Sequence, residues 1–509
     1  MTRIRTTLLL LLMLFWALSL DHLTVLPAIY EDESWLASVG WQWATEGHFA
    51  SDLFAGRFGM EQRTYTFTPP HAFLSSLLFR GAGVGLFQAR FVNVALGLLA
   101  LALLFTLGKR LWSGEHGALA VALLMLTVGT TQTPSQLSGI LWIDVSRIHR
   151  YDMVVPPLAL AALLAAHRAQ TGGGDRWWLV AALLAGLSSF AHPVGGAMVA
   201  VVLLLALWAG ASRRTLALMI GAALLPWLPY LFYVMADLTA FQGQTRLYGD
   251  RFDLLNPAWY VANLRAEPLR YAVGAARSPW VAWPGLVLAW LALRRRAACG
   301  DVSARLVVVA ALLMPLCFAL FLSSKFINYR VLIEPIWALL GAWAILALWR
   351  WQGHGGWARL GRVLLVAGLL LMALEGMGRL AAMAAQAAES TPYPTLIAQI
   401  RRHVPDGTRL LGMHNYWLGM ESTDYRAWVV PLSQADGDPQ RLAQALDTLD
   451  PEVVLIDRNI REYLDHPPPA DPLPAAVWRW LDARGYRPTI IIDDPTYGRI
   501  ELWKRSSEM

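Results

Sequence analysis

Residues 89–108 read ARFVNVALGLLALALLFTLG and are followed directly by Lys109-Arg110. As a helix, a run of this length covers the hydrocarbon core of a bilayer, about 30 Å thick. Working outward, apolar runs of about 15–22 residues recur from residue 6 to residue 380. The whole chain of 509 residues is 56% hydrophobic and 15% charged, with mean hydropathy +0.43. Soluble chains carry about 25% charge. The deficit excludes a soluble cytosolic enzyme and a disordered chain.

The expected spans are 2–20, 89–108, 117–133, 153–166, 178–190, 194–209, 215–235, 279–293, 306–322, 331–348 and 363–382. The fold class that follows is a polytopic α-helical membrane protein of about eleven transmembrane helices over residues 1–385. The first stretch carries Arg3 and Arg5 and reads either as a cleaved leader, with Ala17-Leu18-Ser19 as its site, or as a retained span. The retained span is favoured, because the many later spans need no leader for insertion.

The net charge is +6 and the pI about 9.4. On a soluble chain this would suggest nucleic acid. Here loop bias accounts for it and no nucleic-acid partner is expected. With the N-terminus in the cytoplasm, the cytoplasmic connections hold Lys109, Arg110, Arg213, Arg214, Arg294, Arg295, Arg296, Arg350 and Arg362, among others. Their acids are Glu115, Asp175 and Asp301. This is the positive-inside pattern of an inner (plasma) membrane protein. It places four segments outside: 27–71, 135–152, 236–278 and the tail from about 389. Cys299 and Cys317 lie on different runs, and no disulfide is expected.

The tail, 389–509, changes character. Helices are expected at 395–403, 439–449 and 475–484, and strands at 408–412, 453–457, 489–493 and 499–504. Alternation of this kind predicts a small extracytoplasmic α/β domain. It carries no glycine-rich nucleotide motif, and the chain shows no internal repeat.

Candidate chemistry collects on the outer side. Glu31-Asp32-Glu33 follows the first span. The plain reading is a solvated helix start, where acids are favoured; the functional reading is a general base or metal ligand. Arg150-Tyr151-Asp152 reads as an interfacial ion pair or as a second polar wall. Lys325 and Tyr329-Arg330 place two cations where the charge bias disfavours them, which fits snorkelling or a phosphate. Glu334 falls inside the next span and needs a partner. His192-Pro193 lies where two spans meet. The 236–278 segment mixes Arg246, Arg251 and Arg270 with Tyr248, Trp259 and Tyr260, a composition suited to sugar and phosphate.

The order and sidedness of these features resemble the GT-C glycosyltransferases, in the branch of aminoarabinose transferases and protein O-mannosyltransferases. The residues that carry the resemblance are Asp32-Glu33, Thr68-Pro69-Pro70, Ala89-Arg90-Phe91-Val92, Gly108-Lys109-Arg110-Leu111, Arg150-Tyr151-Asp152-Met153, and Lys325 with Tyr329-Arg330 and Pro335. The resemblance covers about residues 1–385. It implies an enzyme that takes a sugar from a polyprenyl-phosphate donor at the extracytoplasmic face. Asp32 would be the base, with Glu33 beside it. Lys325, Arg330 and Arg150 would hold the donor phosphate, with Asp152, Tyr329, His192 and Arg246 as further site candidates. Relatives of the aminoarabinose type commonly carry Lys before the Pro-Pro pair, where this chain has Thr68.

The residue inventory suits that chemistry. A phosphate leaving group needs charge stabilisation and no proton, so one carboxylate base and several cations suffice, with inversion at the anomeric carbon. No cofactor and no metal are expected, although a divalent ion near Glu31 and Glu33 is conceivable. The acceptor is open among lipid, glycan and protein. A lipid or glycan transporter is the competing expectation. It would need a polar path through spans that are mostly apolar. A membrane scaffold with a partner-binding tail is a third.

Overall fold

The computed structural model describes residues 2–66, 68–129, 138–249, 251–272, 277–351 and 356–506. The chain packs into two compact units. One takes Met1–Asp21, Asn93–Ala236 and Arg246–Ala384, the other His22–Val92, Asp237–Thr245 and Ala385–Met509.

The first unit is helical. Each of the eleven apolar stretches overlaps a helix among the described residues, for example Thr2–Leu20, Leu86–Leu111, Asp175–Ala191, Val302–Phe321 and Glu334–Arg350, although the helix of the third, Gly114–Leu126, ends at Leu126. Residues 130–133 of the expected third span lie outside the described residues. Among the described residues, five helical segments are long and apolar enough to cross a membrane: Arg3–Leu20, Leu86–Leu111, Tyr151–Gly173, Val302–Phe321 and Gly356–Arg401. A sixth counts if Arg213–Leu224 and Trp227–Met235, bent by 50° at their break, form one span. The other stretches fall short for visible reasons. Gly114–Leu126 has 13 residues, and Ser278–Ala298 ends in Arg294–Arg296. The chain is an integral membrane protein.

Small residues let these helices approach. A Cβ on Gly117 would stand 2.4 Å from the Phe105 carbonyl oxygen, and one on Gly108 2.7 Å from the Gly117 Cα. Only glycine permits this backbone-to-backbone crossing of Leu86–Leu111 and Gly114–Leu126. Gly186 does the same against Ala223, where a Cβ would sit 2.2 Å from the carbonyl oxygen.

The second unit holds the sheet. Its strands are β1 (Arg409–Gly412), β2 (Asp424–Ala427), β3 (Val453–Ile456), β4 (Tyr486–Asp494) and β5 (Gly498–Arg505), in the order β2-β1-β3-β5-β4. β1 pairs parallel with β2 and β3; β5 runs antiparallel to β3 and forms a hairpin with β4. Side chains alternate across the sheet with period two. Leu410, Val453, Leu455 and Leu502 face a core shared with Leu396, Ile400, Leu53, Phe54, Phe79 and Ala89. Leu411, Val454 and Ile456 face the opposite core with Leu442, Leu446, Val477 and Trp480. The 27–89 region thus builds one wall of the sheet unit. β2 and the helices Val429–Ala435 and Arg458–Asp465 were not expected from the sequence.

The 236–278 segment, read from sequence as a loop, is two helices, Leu238–Gly249 and Pro257–Ala272. In the second unit Gln244 fixes the first of them. It accepts the Tyr65 N–H at 2.8 Å and donates to the carbonyls of Phe58 and Arg63 at 2.9 and 2.8 Å.

Candidate active site

In the sheet-bearing unit, Asp32 and Glu33 sit on the first turn of the helix Glu31–Glu46. Glu33 is fully buried. Its two oxygens receive Arg90 NH2 at 2.7 Å and Arg90 Nε at 2.8 Å, and Oε1 also accepts the Tyr30 N–H at 2.8 Å. Arg90 NH1 donates to the Leu23 carbonyl at 2.7 Å. Glu33 at the third helical position reaches back over the helix start. With both oxygens occupied it is no free base; the geometry makes it a positioning residue for the turn that carries Asp32. Asp32 itself is half-buried.

In the helical unit, a buried polar network runs through segments distant in sequence. Arg150 Nε donates to Asp152 Oδ2 at 2.8 Å, and both side chains are buried. The other oxygen of Asp152 faces His192 Nε2 at 3.9 Å. His192 Nδ1 accepts the Val194 N–H at 3.0 Å, which leaves its proton on Nε2. Burial pulls the imidazole down to about 4, so it is neutral at physiological pH. Its ring stacks on Tyr151 at 4.7 Å and meets Tyr329 at 4.9 Å. Burial, and then Asp152, push the Tyr329 phenol up to about 12, which keeps it a hydroxyl donor.

The chain then turns from Phe326 to Lys325. Lys325 Nζ donates to Glu267 Oε2 at 2.9 Å and to the Leu322 carbonyl at 2.7 Å. Arg270, fully buried one turn along the Pro257–Ala272 helix, donates to Glu267 Oε1 at 2.9 Å. It also reaches the carbonyls of Phe326 at 2.7 Å and Ser324 at 3.3 Å. Two cations therefore share one carboxylate. Burial lowers the Lys325 ammonium from its usual value, against the hydrogen bond to Glu267 that holds it up.

Arg330 closes the network. Its NH2 donates to Glu334 Oε1 at 2.7 Å and its NH1 to the Gly129 carbonyl at 3.2 Å, while buried Nε makes no hydrogen bond among the described residues. The guanidinium lies 5.7 Å from the Tyr271 ring. Arg330 and Glu334 line one part of an apolar cavity of about 550 Å³. Its walls are Leu123, Trp283, Leu286, Ala344, Leu364 and Gly368, from four helices. Glu334, which the sequence left without a partner, is thus paired to Arg330.

The structure brings Arg150, Asp152, His192, Tyr329, Lys325 and Arg330 into this one network. It leaves Arg246 out: that side chain is exposed on Leu238–Gly249. Glu267 was missed as a site residue, and Arg270 was noted only as part of the composition of the 236–278 segment. Their three-residue spacing on one helical face was the available signal. No group of three or more metal-ligating side chains assembles among the described residues.

A family model for dolichyl-phosphate-mannose-protein mannosyltransferases matches residues 67–235. The structure of ArnT from Cupriavidus metallidurans bound to undecaprenyl phosphate superposes with a TM-score of 0.62 at 15% identity, covering 98% of each chain. The oligosaccharyltransferase AglB from Archaeoglobus fulgidus, in complex with an inhibitory peptide and a dolichol-phosphate, gives 0.53 at 12% identity, covering 99% of this chain and 74% of that one. The fold is that of the GT-C glycosyltransferases. No curated protein matches the sequence. The GT-C resemblance read from residues 1–385 agrees with both comparisons. The matched profile covers Thr68-Pro69-Pro70, Arg90 and Arg150–Met153. The structural likeness extends through the sheet unit, which the sequence did not tie to the family.

Proposed function

We propose that this protein transfers a sugar from a polyprenyl-phosphate donor to an acceptor hydroxyl at the extracytoplasmic face, with inversion. One observation carries the reading. A buried network rich in cations meets an apolar cavity of about 550 Å³ at Arg330 and Glu334. That combination suits an amphiphile with an anionic head and a hydrocarbon tail. The sidedness is supported by the loop charge pattern.

The head group would draw on surplus positive charge. Arg150 is balanced by Asp152 and Arg330 by Glu334, but Lys325 and Arg270 share Glu267. That triad keeps one net positive charge for a phosphate. Charge-assisted hydrogen bonds of Lys and Arg to phosphate are the strong kind. The reaction follows from these parts. The acceptor O–H gives its proton to the Asp32 carboxylate. The acceptor oxygen forms a bond to the anomeric carbon as the bond from that carbon to the phosphate oxygen breaks. The electron pair leaves on polyprenyl phosphate, where Lys325, Arg270 and Arg330 stabilise it. A general base contributes about 10²–10⁴-fold.

The test is release of free polyprenyl phosphate from a panel of polyprenyl-phosphate sugars by the purified protein, reconstituted with a cell-envelope extract that supplies lipid, glycan and protein hydroxyls as acceptors. Wild type should release it with at least one donor. Asp32→Asn, with unchanged thermal stability, should lose at least about 10²-fold. Absence of release with every donor, or full turnover by Asp32→Asn, would overturn the reading.

A further inference from the structure

The sheet unit carries a second cavity, of about 540 Å³, that the transfer chemistry does not use. That volume lies within the range of small-molecule sites, about 300–1,000 Å³. It opens at the carboxyl end of β3, between the start of the Arg458–Asp465 helix and the start of β5. Here the parallel half of the sheet, β2-β1-β3, gives way to the antiparallel hairpin. Open α/β sheets place ligands at the carboxyl ends of their parallel strands.

The lining is built. Glu501 lies at the base with its side chain 5% exposed. Its Oε1 accepts Arg499 Nε at 2.8 Å; its Oε2 accepts Arg461 NH2 and, at 2.9 Å, Trp503 Nε1. Arg461 is further held over the Trp478 ring at 4.9 Å. A buried carboxylate with both oxygens engaged fixes the two guanidiniums in place, and this costs a ligand less ordering entropy. Arg458 beside them makes no ion pair among the described residues. Gly498, at φ +73°, leaves room for its aliphatic stem, which passes 3.5 Å from where a Cβ would stand. Arg499 spends only its Nε on Glu501, so its terminal amino groups remain for a ligand. Glu462 and Asp465 line the same cavity one turn further along the helix. Those two acids would repel a bare anion, but they accept hydrogen bonds from hydroxyls.

We propose that this cavity binds an acidic sugar: its phosphate or carboxylate is gripped by Arg458, Arg461 and Arg499, and its hydroxyls donate to Glu462 and Asp465. The site stands independently of the transferase reading, and its test reads binding and not turnover.

The experiment is calorimetric titration of the full-length protein in detergent with glucose 6-phosphate, glucuronate, glucose and inorganic phosphate. Glucose 6-phosphate, glucuronate or both should bind saturably, at least about tenfold more tightly than glucose or inorganic phosphate, a difference of about 1.4 kcal/mol. Arg458→Ala, at an exposed position outside the Glu501 ion pairs, should abolish this with thermal stability unchanged. Glu462→Gln/Asp465→Asn should bring the sugar phosphate down to the level of inorganic phosphate. Binding of the sugar phosphate and glucuronate no tighter than of glucose or inorganic phosphate would overturn the proposal. So would equal affinity in Arg458→Ala, or no saturable binding at all.

Discussion

Glu33 and Arg90 are joined by two parallel hydrogen bonds of 2.7 and 2.8 Å, and neither side chain reaches solvent. The pair ties the first turn of Glu31–Glu46 to the residue that precedes Phe91 in an apolar helix. Removing one partner leaves an unpaired buried charge, at a cost of about 3–5 kcal/mol. Arg90→Met and Glu33→Gln should each lower the thermal midpoint in detergent sharply. The double variant should be less unstable than the sum of the two, because neither charge is then stranded. Strictly additive losses would show that the two side chains act separately.

His192 gives a pH dependence of definite sign. The folded imidazole titrates near 4, held down by burial, with Arg150 adding to the effect and Asp152 opposing it. Unfolded, it titrates near the ordinary value of about 6.5. Between these values the unfolded chain binds more protons, so stability rises with pH. The contribution is fully present above about 6.5 and is lost as pH falls towards 4, about 3 kcal/mol in all. Thermal midpoints at pH 7.5 and 4.5 should differ less in His192→Gln than in wild type. An equal difference would contradict the assignment.

Arg270 should prove to hold the 322–330 turn. It contributes hydrogen bonds to the Phe326 and Ser324 carbonyls and shares Glu267 with Lys325. Arg270→Met removes all three at once. Hydrogen exchange at residues 322–330 should quicken by roughly tenfold or more, the equivalent of one lost buried hydrogen bond. Unchanged protection there would mean that the turn is held by other contacts.

Gly117 tests the helix crossing. Its absent Cβ would meet the Phe105 carbonyl oxygen at 2.4 Å, and backbone gives way less easily than a side chain. Gly117→Ala should destabilise by about 1–3 kcal/mol, read as a fall in thermal midpoint. Ala at Gly81, which has open space around it, should be near neutral.

Much of this was legible in the sequence, and the reasons are local. Apolar runs set the helices, since length and hydropathy act residue by residue. The tail strands at 408–412 and 453–457 were visible because buried strands read as short apolar runs. β2 escaped because Asp424, Tyr425 and Arg426 carry no such signal. The Arg150–Asp152 pair was readable from its spacing, and Glu334 announced a need for a partner. What could not be read was which partner each charge takes. Glu267 lies 58 residues from Lys325, and Arg90 lies 57 from Glu33. Pairing over such separations depends on tertiary packing. The same limit hid Glu33: three adjacent acids look alike in sequence, yet one is locked to Arg90.

The central claim is that the buried cations and the apolar cavity hold a polyprenyl phosphate. It is tested most directly by native mass spectrometry of the detergent-purified protein with undecaprenyl phosphate, and with the uncharged polyprenol as control. Wild type should retain the phosphate and not the alcohol. Lys325→Ala, which removes a head-group cation, and Ala344→Trp, which fills the cavity, should each lose it. Equal retention of phosphate and alcohol, or retention unchanged in both variants, would contradict the account.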